Sequence, residues 1–306
     1  MITTPLSPDH LATSVMAVPP LARAADFSLA EEENVRIVRH LEAGGVRLLL
    51  YGGNANLYHV PLSEYEPILA LLARIAGPDT LVIPSAGPTY GLLQDQARVL
   101  RRFAFPTAMV LPQQGITTSR GVADGIRRFV EAAGIPALLY VKHDGYIEPD
   151  DAGALDREGL LSGIKYATVR RDTAADPYLD RLLDRVPAAK VISGIGEQPA
   201  IEHVREFGLG GFTSGCVCVA PRLSQRMRAA LHRGDEVEAE RIRALFGPLE
   251  DLRNAINPIR VLHRAVEGAG IAATGPLLPL LTNVEAEHEA AIDAAARTLL
   301  AADRQA

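Results

Sequence analysis

The chain has 306 residues, of which 48% are hydrophobic and 22% charged, a balance typical of globular proteins that bury a sizeable core. Its net charge of −6 argues against nucleic acid as the main partner, because phosphate binding requires a basic surface. No apolar run approaches the roughly 18 residues that span a bilayer, and the first residues lack the pattern of a signal peptide. These properties predict a cytoplasmic protein with no membrane partner.

Eight short apolar runs recur along the chain, and each has the length of a buried strand. The runs are apolar throughout rather than alternating between apolar and polar residues, which is typical of parallel strands covered on both faces. They predict parallel strands at residues 15–19, 46–51, 81–85, 107–111, 137–141, 162–166, 190–193 and 211–214.

Amphipathic segments separate these runs and have the periodicity of helices, with apolar residues such as Val35, Val38 and Leu41 on one face. Ser28 and Ser63 precede two of the segments and are predicted as their N-caps. Glycines follow other segments, where a left-handed residue can end a helix. These glycines are residues 44, 45, 134 and 208, and the predicted helices span residues 29–42, 63–75, 91–102, 122–133 and 177–185.

The order of these elements predicts the fold class. Eight successive strand-then-helix units favour an α/β fold with a (β/α)₈ TIM barrel at residues 1–233, although an open, doubly wound sheet has a similar sequence pattern. Residues 234–306 are predicted to form a C-terminal helical extension. Asn257-Pro258 and the prolines at residues 276 and 279 should divide this extension into about three helices.

Parallel barrels carry their reactive groups at the carboxyl ends of the strands, and Lys165 lies at the end of the sixth predicted strand. The 31 basic residues include only three lysines, so arginine supplies almost all of the positive charge. A lysine in the apolar run LLSGIKYA is therefore unexpected as a surface charge. A desolvated amine can lose a proton and attack a carbonyl, so we predict Lys165 as a Schiff-base nucleophile. A lysine that only extends its amine into water is the alternative.

Tyr140 ends the preceding predicted strand, in the run PALLYV. Neighbouring strands lie about 4.8 Å apart, so a phenol at the height of Lys165 can reach an imine formed there. Such a phenol can transfer protons to and from the covalent intermediate. A buried tyrosine alone is more often a core residue, but the pairing with Lys165 favours a catalytic role.

The glycine pair Gly52-Gly53 follows the second predicted strand and precedes Asn54. Its backbone N–H groups can form an anion site for a carboxylate, although a lone glycine pair more often marks a tight turn with positive φ. Cys216 and Cys218 are predicted on one face of a strand as small apolar residues, because no cluster of further ligands completes a metal site. We expect neither a metal nor another cofactor.

Between about residues 15 and 281 the chain resembles the dihydrodipicolinate synthase and N-acetylneuraminate lyase superfamily of class I, Schiff-base aldolases. The resemblance rests on ALLYV with Tyr140 and LSGIKYA with Lys165, which are 25 residues apart, followed by VISGIGE and GLGGFTSGCVCVAPRL at the last two predicted strands. LHRGDEVEAERI and NPIRVLHRAVEGAGI resemble the C-terminal segments of the family. The order and spacing of these motifs are more specific than any single one.

The resemblance implies a barrel enzyme in which Lys165 forms the imine and Tyr140 relays protons. It places Gly53 and Asn54 in the loop that binds the substrate carboxylate. Gly194 and Thr213 would line the same pocket through backbone atoms. The family is usually tetrameric, so the resemblance also implies a homotetramer built as a dimer of dimers.

The chain also departs from the family pattern. Gly53 replaces a hydroxyl residue of the proton relay, and Gln114, which we include among the substrate-binding candidates, replaces the second tyrosine of the family. The arginine that follows the relay tyrosine in the synthase, where it holds the carboxylate of the aldehyde substrate, is absent from residues 142–146. Asn54, Asn56 and Gln114 would instead suit a hydroxylated substrate, such as a sugar-derived 2-oxo acid.

The sequence thus predicts a dihydrodipicolinate synthase-like lyase that binds a small 2-oxo acid on Lys165, either of the pyruvate type or a 2-oxo-3-deoxy sugar acid. The imine accepts electrons from the adjacent carbon, so cleavage, condensation and dehydration can share this intermediate. A 2-oxo-3-deoxy sugar acid dehydratase is one alternative. A barrel that has lost catalysis and serves as a binding or regulatory protein is another, motivated by Gly53 and Gln114.

Overall fold

The computed structural model describes residues 1–306 and contains nine short strands, β1–β9, and twelve α-helices, α1–α12. The strands are β1 (Met16–Ala17), β2 (Leu48–Leu50), β3 (Leu81–Ile83), β4 (Ser85–Ala86), β5 (Ala108–Val110), β6 (Ala137–Val141), β7 (Leu161–Tyr166), β8 (Val191–Ser193) and β9 (Gly211–Ser214). The helices are α1 (Pro8–Thr13), α2 (Glu31–Ala43), α3 (Leu62–Ile75), α4 (Tyr90–Leu100), α5 (Ser119–Ala133), α6 (Pro149–Arg157), α7 (Pro177–Leu183), α8 (Ala200–Arg205), α9 (Pro221–His232), α10 (Glu236–Ala255), α11 (Pro258–Gly268) and α12 (Ala286–Asp303).

The strands form a parallel barrel. Hydrogen bonds join them in the order β3-β2-β1-β9-β8-β7-β6-β5-β4. Only Pro84 separates β3 from β4, and proline lacks the N–H that would continue the ladder, so the two ends of this order belong to one interrupted strand. Nine segments therefore occupy eight barrel positions, which confirms the predicted (β/α)₈ barrel and contradicts the open sheet.

Burial explains why the strand sequences are apolar throughout. Every residue of the nine strands is buried except Ser162. One face of each strand points into the barrel and the other faces the surrounding helices, so neither face selects polar side chains.

Three of the predicted helix-ending glycines, Gly45, Gly134 and Gly208, have positive φ, whereas Gly44 has a φ of −84°.

Both predicted serine N-caps are wrong. The N-cap of α2 is Ala30, and the Ser28 hydroxyl donates instead to the Asp26 carboxylate at 2.6 Å. Pro61 is the N-cap of α3, so Ser63 lies inside the first turn of that helix. α2 thus begins after Ser28, whose hydroxyl is engaged with Asp26, and α3 begins before Ser63.

The two cysteines lie in a 3₁₀ helix after β9 rather than in a strand, which corrects their predicted placement. Both thiols are free and buried. Burial raises the pKa of Cys216 and Cys218 above that of an ordinary thiol, so both side chains remain neutral and pack as small apolar groups.

The C-terminal segment contains three helices, α10–α12, which divide at Asn257-Pro258 and around residues 276–279 as predicted. Asn257 caps α11 through its side-chain oxygen, which accepts from the N–H groups of Ile259 at 3.0 Å and Arg260 at 3.2 Å. α10 contacts α8 and α9 of the barrel as well as α11 and α12. None of the twelve helices has the length and apolar content needed to cross a membrane.

Candidate active site

A cavity of about 300 Å³ lies at the carboxyl ends of the barrel strands. Its walls come from β6, β7 and β9, from the loops after β2 and β8, and from α10 and α11. No aspartate, glutamate or histidine lines it. Six of the seven predicted site residues do line it, namely Gly53, Asn54, Tyr140, Lys165, Gly194 and Thr213.

Lys165 and Tyr140 occupy paired positions on the adjacent strands β7 and β6. The Lys165 amine lies over the Tyr140 ring, 4.3 Å from the ring centre. Both side chains are buried, with residue exposures of 7% and 8%. The strand register therefore brings together an amine and a phenol that are 25 residues apart in the chain.

The environment of Lys165 favours its neutral form. Burial, helped by the positive charges of Lys142 and Arg253, lowers the pKa of the Lys165 amine to about 7. A large fraction of the amine is therefore unprotonated at neutral pH and can act as a nucleophile. Gly194 leaves space for this side chain, because a Cβ at that position would lie 3.1 Å from Cε of Lys165 and 2.7 Å from Cβ of Ala167.

Two phenols face the cavity. Burial raises the pKa of Tyr140 to about 12, so its hydroxyl stays protonated near neutral pH and can donate a proton or a hydrogen bond. Tyr58, from the loop after β2, also lines the cavity, and burial raises the pKa of its phenol. Tyr146 lies outside the cavity lining, so Tyr58 is the second phenol available to a ligand near Lys165.

The loop after β2 presents free backbone donors. The N–H groups of Gly53 and Asn54 make no hydrogen bond within the chain. Neither glycine of the pair has positive φ, so the tight-turn explanation of Gly52-Gly53 is wrong. Gly52 packs closely instead, because a Cβ there would lie 2.6 Å from Cε of Met109 and 3.1 Å from Oγ of Ser85. The loop can thus offer two donors to a carboxylate.

Two hydrogen bonds hold this loop against neighbouring segments. Nε2 of His263, on α11, lies 2.7 Å from the Asn54 carbonyl oxygen. Burial lowers the pKa of His263 to about 4, so the ring is neutral and donates from Nε2. The Asn54 side-chain amide donates to the Val18 carbonyl at 3.0 Å. α11 and the segment after β1 therefore fix the position of the loop.

The structure does not bring Gln114 into the cavity. It lies on the exposed loop after β5. Asn56 is also outside the lining: it is buried, and its amide donates to the Leu278 carbonyl at 3.4 Å. The predicted polar set for a hydroxylated substrate is therefore not assembled, because Asn54 alone lines the cavity and its amide is already bonded to the chain.

Arg253, which no sequence motif singles out, reaches the cavity from α10. Its guanidinium donates to the Ile195 carbonyl at 2.5 Å and to the Asn254 side-chain oxygen at 3.0 Å. Lys142 also turns into the cavity, which its position in the sequence does not reveal, and its amine lies 5.9 Å from the centre of the Tyr58 ring. Burial lowers the pKa of Lys142.

Two fully buried carboxyls lie behind Arg253. Glu197 accepts from the hydroxyls of Ser214 at 2.8 Å and Ser224 at 2.7 Å. Glu250 accepts from two backbone N–H groups at 3.0 and 2.9 Å, and its oxygen is 3.5 Å from Nη1 of Arg253. Burial raises the pKa of both carboxyls, that of Glu250 to about 8, so the pair does not carry two full negative charges at neutral pH.

No family model matches the chain. The 4-hydroxy-tetrahydrodipicolinate synthase of Alkalilimnicola ehrlichii is 25% identical to it over 295 residues, which cover 94% of this chain and 93% of the relative. The synthase of the same name from Pseudomonas savastanoi pv. phaseolicola is 27% identical over 259 residues, or 82% and 85% of the two chains.

Solved structures show the same fold. Dihydrodipicolinate synthase from Bacillus clausii has a TM-score of 0.83 at 22% identity and covers 97% of this chain and 99% of its own. The sialic acid aldolase of Ruminococcus gnavus has a TM-score of 0.81 at 14% identity, and the match covers 96% of this chain and 99% of the aldolase.

The chain is thus similar in sequence to curated 4-hydroxy-tetrahydrodipicolinate synthases and in fold to a dihydrodipicolinate synthase and a sialic acid aldolase, the proteins of the dihydrodipicolinate synthase and N-acetylneuraminate lyase superfamily. This confirms the resemblance found in the sequence motifs. An identity of about one quarter to the curated synthases fits an atypical member of the superfamily. The same relatives support a lyase.

Proposed function

We propose that this chain is a lyase that binds a 2-oxo acid as an imine on Lys165. The observation that carries the proposal is the buried amine with lowered pKa, paired with the Tyr140 phenol at the carboxyl ends of β6 and β7. A neutral amine in a cavity is the form that attacks a carbonyl. The free N–H groups of Gly53 and Asn54 supply an anion site in the same cavity for the substrate carboxylate.

The first step joins the amine nitrogen of Lys165 to C2 of the substrate. As the C–N bond forms, the carbonyl oxygen takes up a proton and the nitrogen gives one up, which yields a carbinolamine. The hydroxyl of the carbinolamine then receives a further proton and leaves as water, and the product is the protonated imine. We assign the delivery and recovery of these protons to Tyr140, because its phenol stays protonated and the Lys165 amine lies over its ring.

The protonated imine determines which bonds can break next. It accepts the electron pair of a bond to C3, either a C3–H bond or a C3–C4 bond, and becomes an enamine. Breaking the C3–C4 bond is aldol cleavage, and the reverse step is condensation with an aldehyde. The curated relatives are named synthases, which agrees with the condensing direction, and we propose the imine and enamine intermediates for this chain.

The test is to reduce the enzyme with borohydride in the presence of pyruvate and longer 2-oxo acids, and then to map the modified peptide. We expect one adduct, on Lys165. Lys165→Arg keeps the positive charge but cannot form the imine, so it should give no adduct, whereas Lys190→Gln should react as the wild type does. An adduct on Lys142 or Lys190, or none with any 2-oxo acid, would contradict the proposal.

A further inference from the structure

Positive charge is concentrated in the cavity around Lys165. Lys142, Lys165 and Arg253 line it, and no acidic side chain does. This is unusual in a chain with a net charge of −6 and only three lysines, two of which face the same cavity. Like charges held close together are unfavourable unless a ligand offsets them. The N–H groups of Gly53 and Asn54 can bind one carboxylate, so Lys142 and Arg253 are left for another anionic group.

The guanidinium of Arg253 lies within reach of a small substrate attached to Lys165. It donates to the Ile195 carbonyl, and a Cβ at Gly196 would lie 2.8 Å from its Nη1. At Gly194, two residues earlier, an added Cβ would lie 3.1 Å from Cε of Lys165. Both groups line the same cavity of about 300 Å³, and the positive charge of Arg253 contributes to the lowered pKa of Lys165, so the two side chains are close neighbours.

Neither cation is fully neutralised by the protein. Lys142 forms no ion pair. Arg253 faces Glu250 at 3.5 Å, longer than a charge-assisted hydrogen bond, and Glu250 is already held by two backbone N–H groups. Burial raises the pKa of Glu250 to about 8, so much of the Arg253 charge remains available to a ligand at neutral pH.

The neutral polar groups of the cavity are less available than these charges. The Asn54 amide donates to the Val18 carbonyl at 3.0 Å. The Asn254 side chain accepts from Arg253 at 3.0 Å and donates to Gln198 at 2.8 Å. A substrate tail rich in hydroxyls would find few unpaired amides here, whereas a negatively charged tail would meet a guanidinium and an amine.

We propose that Arg253 and Lys142 bind a second carboxylate at the far end of the substrate, which makes the substrate a 2-oxo dicarboxylic acid. The inference rests on the proposed function, because it assumes the imine on Lys165. The carboxylate next to the imine occupies the N–H groups of Gly53 and Asn54. The distal carboxylate meets the Lys142 amine and Nη1 of Arg253, the one guanidinium nitrogen that donates no hydrogen bond within the chain and lies 3.5 Å from Glu250.

The test compares two ligands that differ only at the far end: 2-oxoadipate, which ends in a carboxylate, and 2-oxohexanoate, which ends in a methyl group. Each is titrated with cyanoborohydride, and the half-saturating concentration for the Lys165 adduct is measured by intact mass. We expect the half-saturating concentration of 2-oxoadipate to be at least about tenfold lower than that of 2-oxohexanoate, because a charge-assisted pair contributes that much to binding. In Arg253→Met the two values should come within about threefold of each other.

Further variants distinguish charge from folding. Lys142→Gln should reduce the preference in part, and Arg253→Lys should keep part of it, because it retains the charge but not the guanidinium. Lys190→Gln and Arg127→Gln remove basic groups that already pair with Asp156 and Glu158, and should leave the preference intact.

Three outcomes would overturn the inference. The first is equal half-saturation for the two ligands in the wild type. The second is a preference that survives in both Arg253→Met and Lys142→Gln. The third is tighter trapping of 2-oxo-3-deoxy-6-phosphogluconate than of 2-oxoadipate, which would make the distal group a phosphate. Absence of a Lys165 adduct with every ligand would instead contradict the proposed function.

Discussion

At the scale of single residues, the burial of Lys165 sets the pH range in which its amine can react. A lysine with a pKa of about 7 is half unprotonated at that pH, whereas an exposed lysine is almost fully charged. We predict that the rate of imine trapping falls about tenfold per pH unit below this midpoint, because only the neutral amine attacks the carbonyl. Cyanoborohydride trapping of pyruvate between pH 5 and 10 measures the profile.

A variant tests the cause of that midpoint. Lys142 is one of the two positive charges that lower the pKa of Lys165, so Lys142→Gln should move the midpoint to higher pH. Lys190→Gln removes a lysine that pairs with Asp156 at 2.8 Å and should not move it. A wild-type midpoint near the ordinary lysine value would show that the amine is solvated.

Tyr140 carries the next prediction. If its phenol relays protons, Tyr140→Phe should lower the rate of C3–H exchange of pyruvate in D₂O by about 10²–10⁴-fold. Tyr65→Phe is the matched control, because Tyr65 is buried and bonded to the Ser85 carbonyl but does not line the cavity. NMR measures the exchange. Near wild-type exchange in Tyr140→Phe would assign the relay to another group, and Tyr58 would be examined next.

The same residues show how far the sequence can predict the site. Lys165 was identifiable because lysine is rare in this chain and because it ends an apolar strand. Arg253 could not be identified from the sequence, because it is one of 28 arginines and its contact with Ile195 joins residues that are 58 apart in the chain. Gln114 was included by analogy with a family position, and its exposed loop shows that chain order alone does not place a side chain in a cavity.

At the scale of elements, the connection between β8 and α8 holds Arg253 and Glu250 in place. Gly196 has a φ of +107°, and a Cβ there would lie 2.0 Å from Oε1 of Glu250. Gly196→Ala should therefore lower the free energy of unfolding by at least about 2 kcal/mol, from backbone strain and overpacking, and weaken the preference for 2-oxoadipate. Urea denaturation measures the first effect and ligand trapping the second.

The control for that prediction is Gly91→Ala. Gly91 lies exposed in α4, and a Cβ there would meet nothing within 4 Å. Alanine favours helices over glycine, so this variant should raise the free energy of unfolding by up to about 1 kcal/mol. Equal stability for Gly196→Ala and the wild type would mean that the connection relaxes, and that its geometry does not fix Arg253.

Elements were more predictable than their ends. The strands could be located because burial on both faces leaves an apolar run, and this physical cause acts on every strand alike. The first residues of the helices could not be located in this way, as Ser28 and Ser63 show, because capping depends on the turn before the helix. The interruption of the third barrel strand at Pro84 follows from chemistry visible in the sequence, since a proline cannot donate to the ladder.

At the scale of the whole molecule, the C-terminal helices complete the cavity rather than stand apart from it. Arg253 on α10 lines the wall beside Ile195, and His263 on α11 holds the Asn54 loop. We propose that the division into a barrel at residues 1–233 and an extension at 234–306 marks a change of architecture but not of function. The extension supplies a guanidinium to the cavity, whereas residues 142–146 after Tyr140 supply only the amine of Lys142.

The last prediction concerns the assembly of copies. A groove of about 480 Å³ lies between α4 and α5 and is lined in part by Leu93, Val122 and Ile126. At its rim Ile116 is 80% exposed and Tyr90 54% exposed. Large exposed apolar groups at a groove are typical of protein interfaces, and symmetric homo-oligomers bury such patches against each other. We propose that a second copy covers this face and that pairs assemble further into a tetramer.

Light scattering at micromolar concentration should therefore return a multiple of the 32.8 kDa chain mass. Ile116→Asp should shift the population toward the monomer, because burying an unpaired carboxylate in an apolar interface is unfavourable. Val237 is the matched control: it is 83% exposed on α10, away from the groove, so Val237→Asp should leave the mass unchanged. A monomer mass for the wild type would reject assembly. An oligomer that tolerates Ile116→Asp as well as Val237→Asp would place the interface on another face of the barrel.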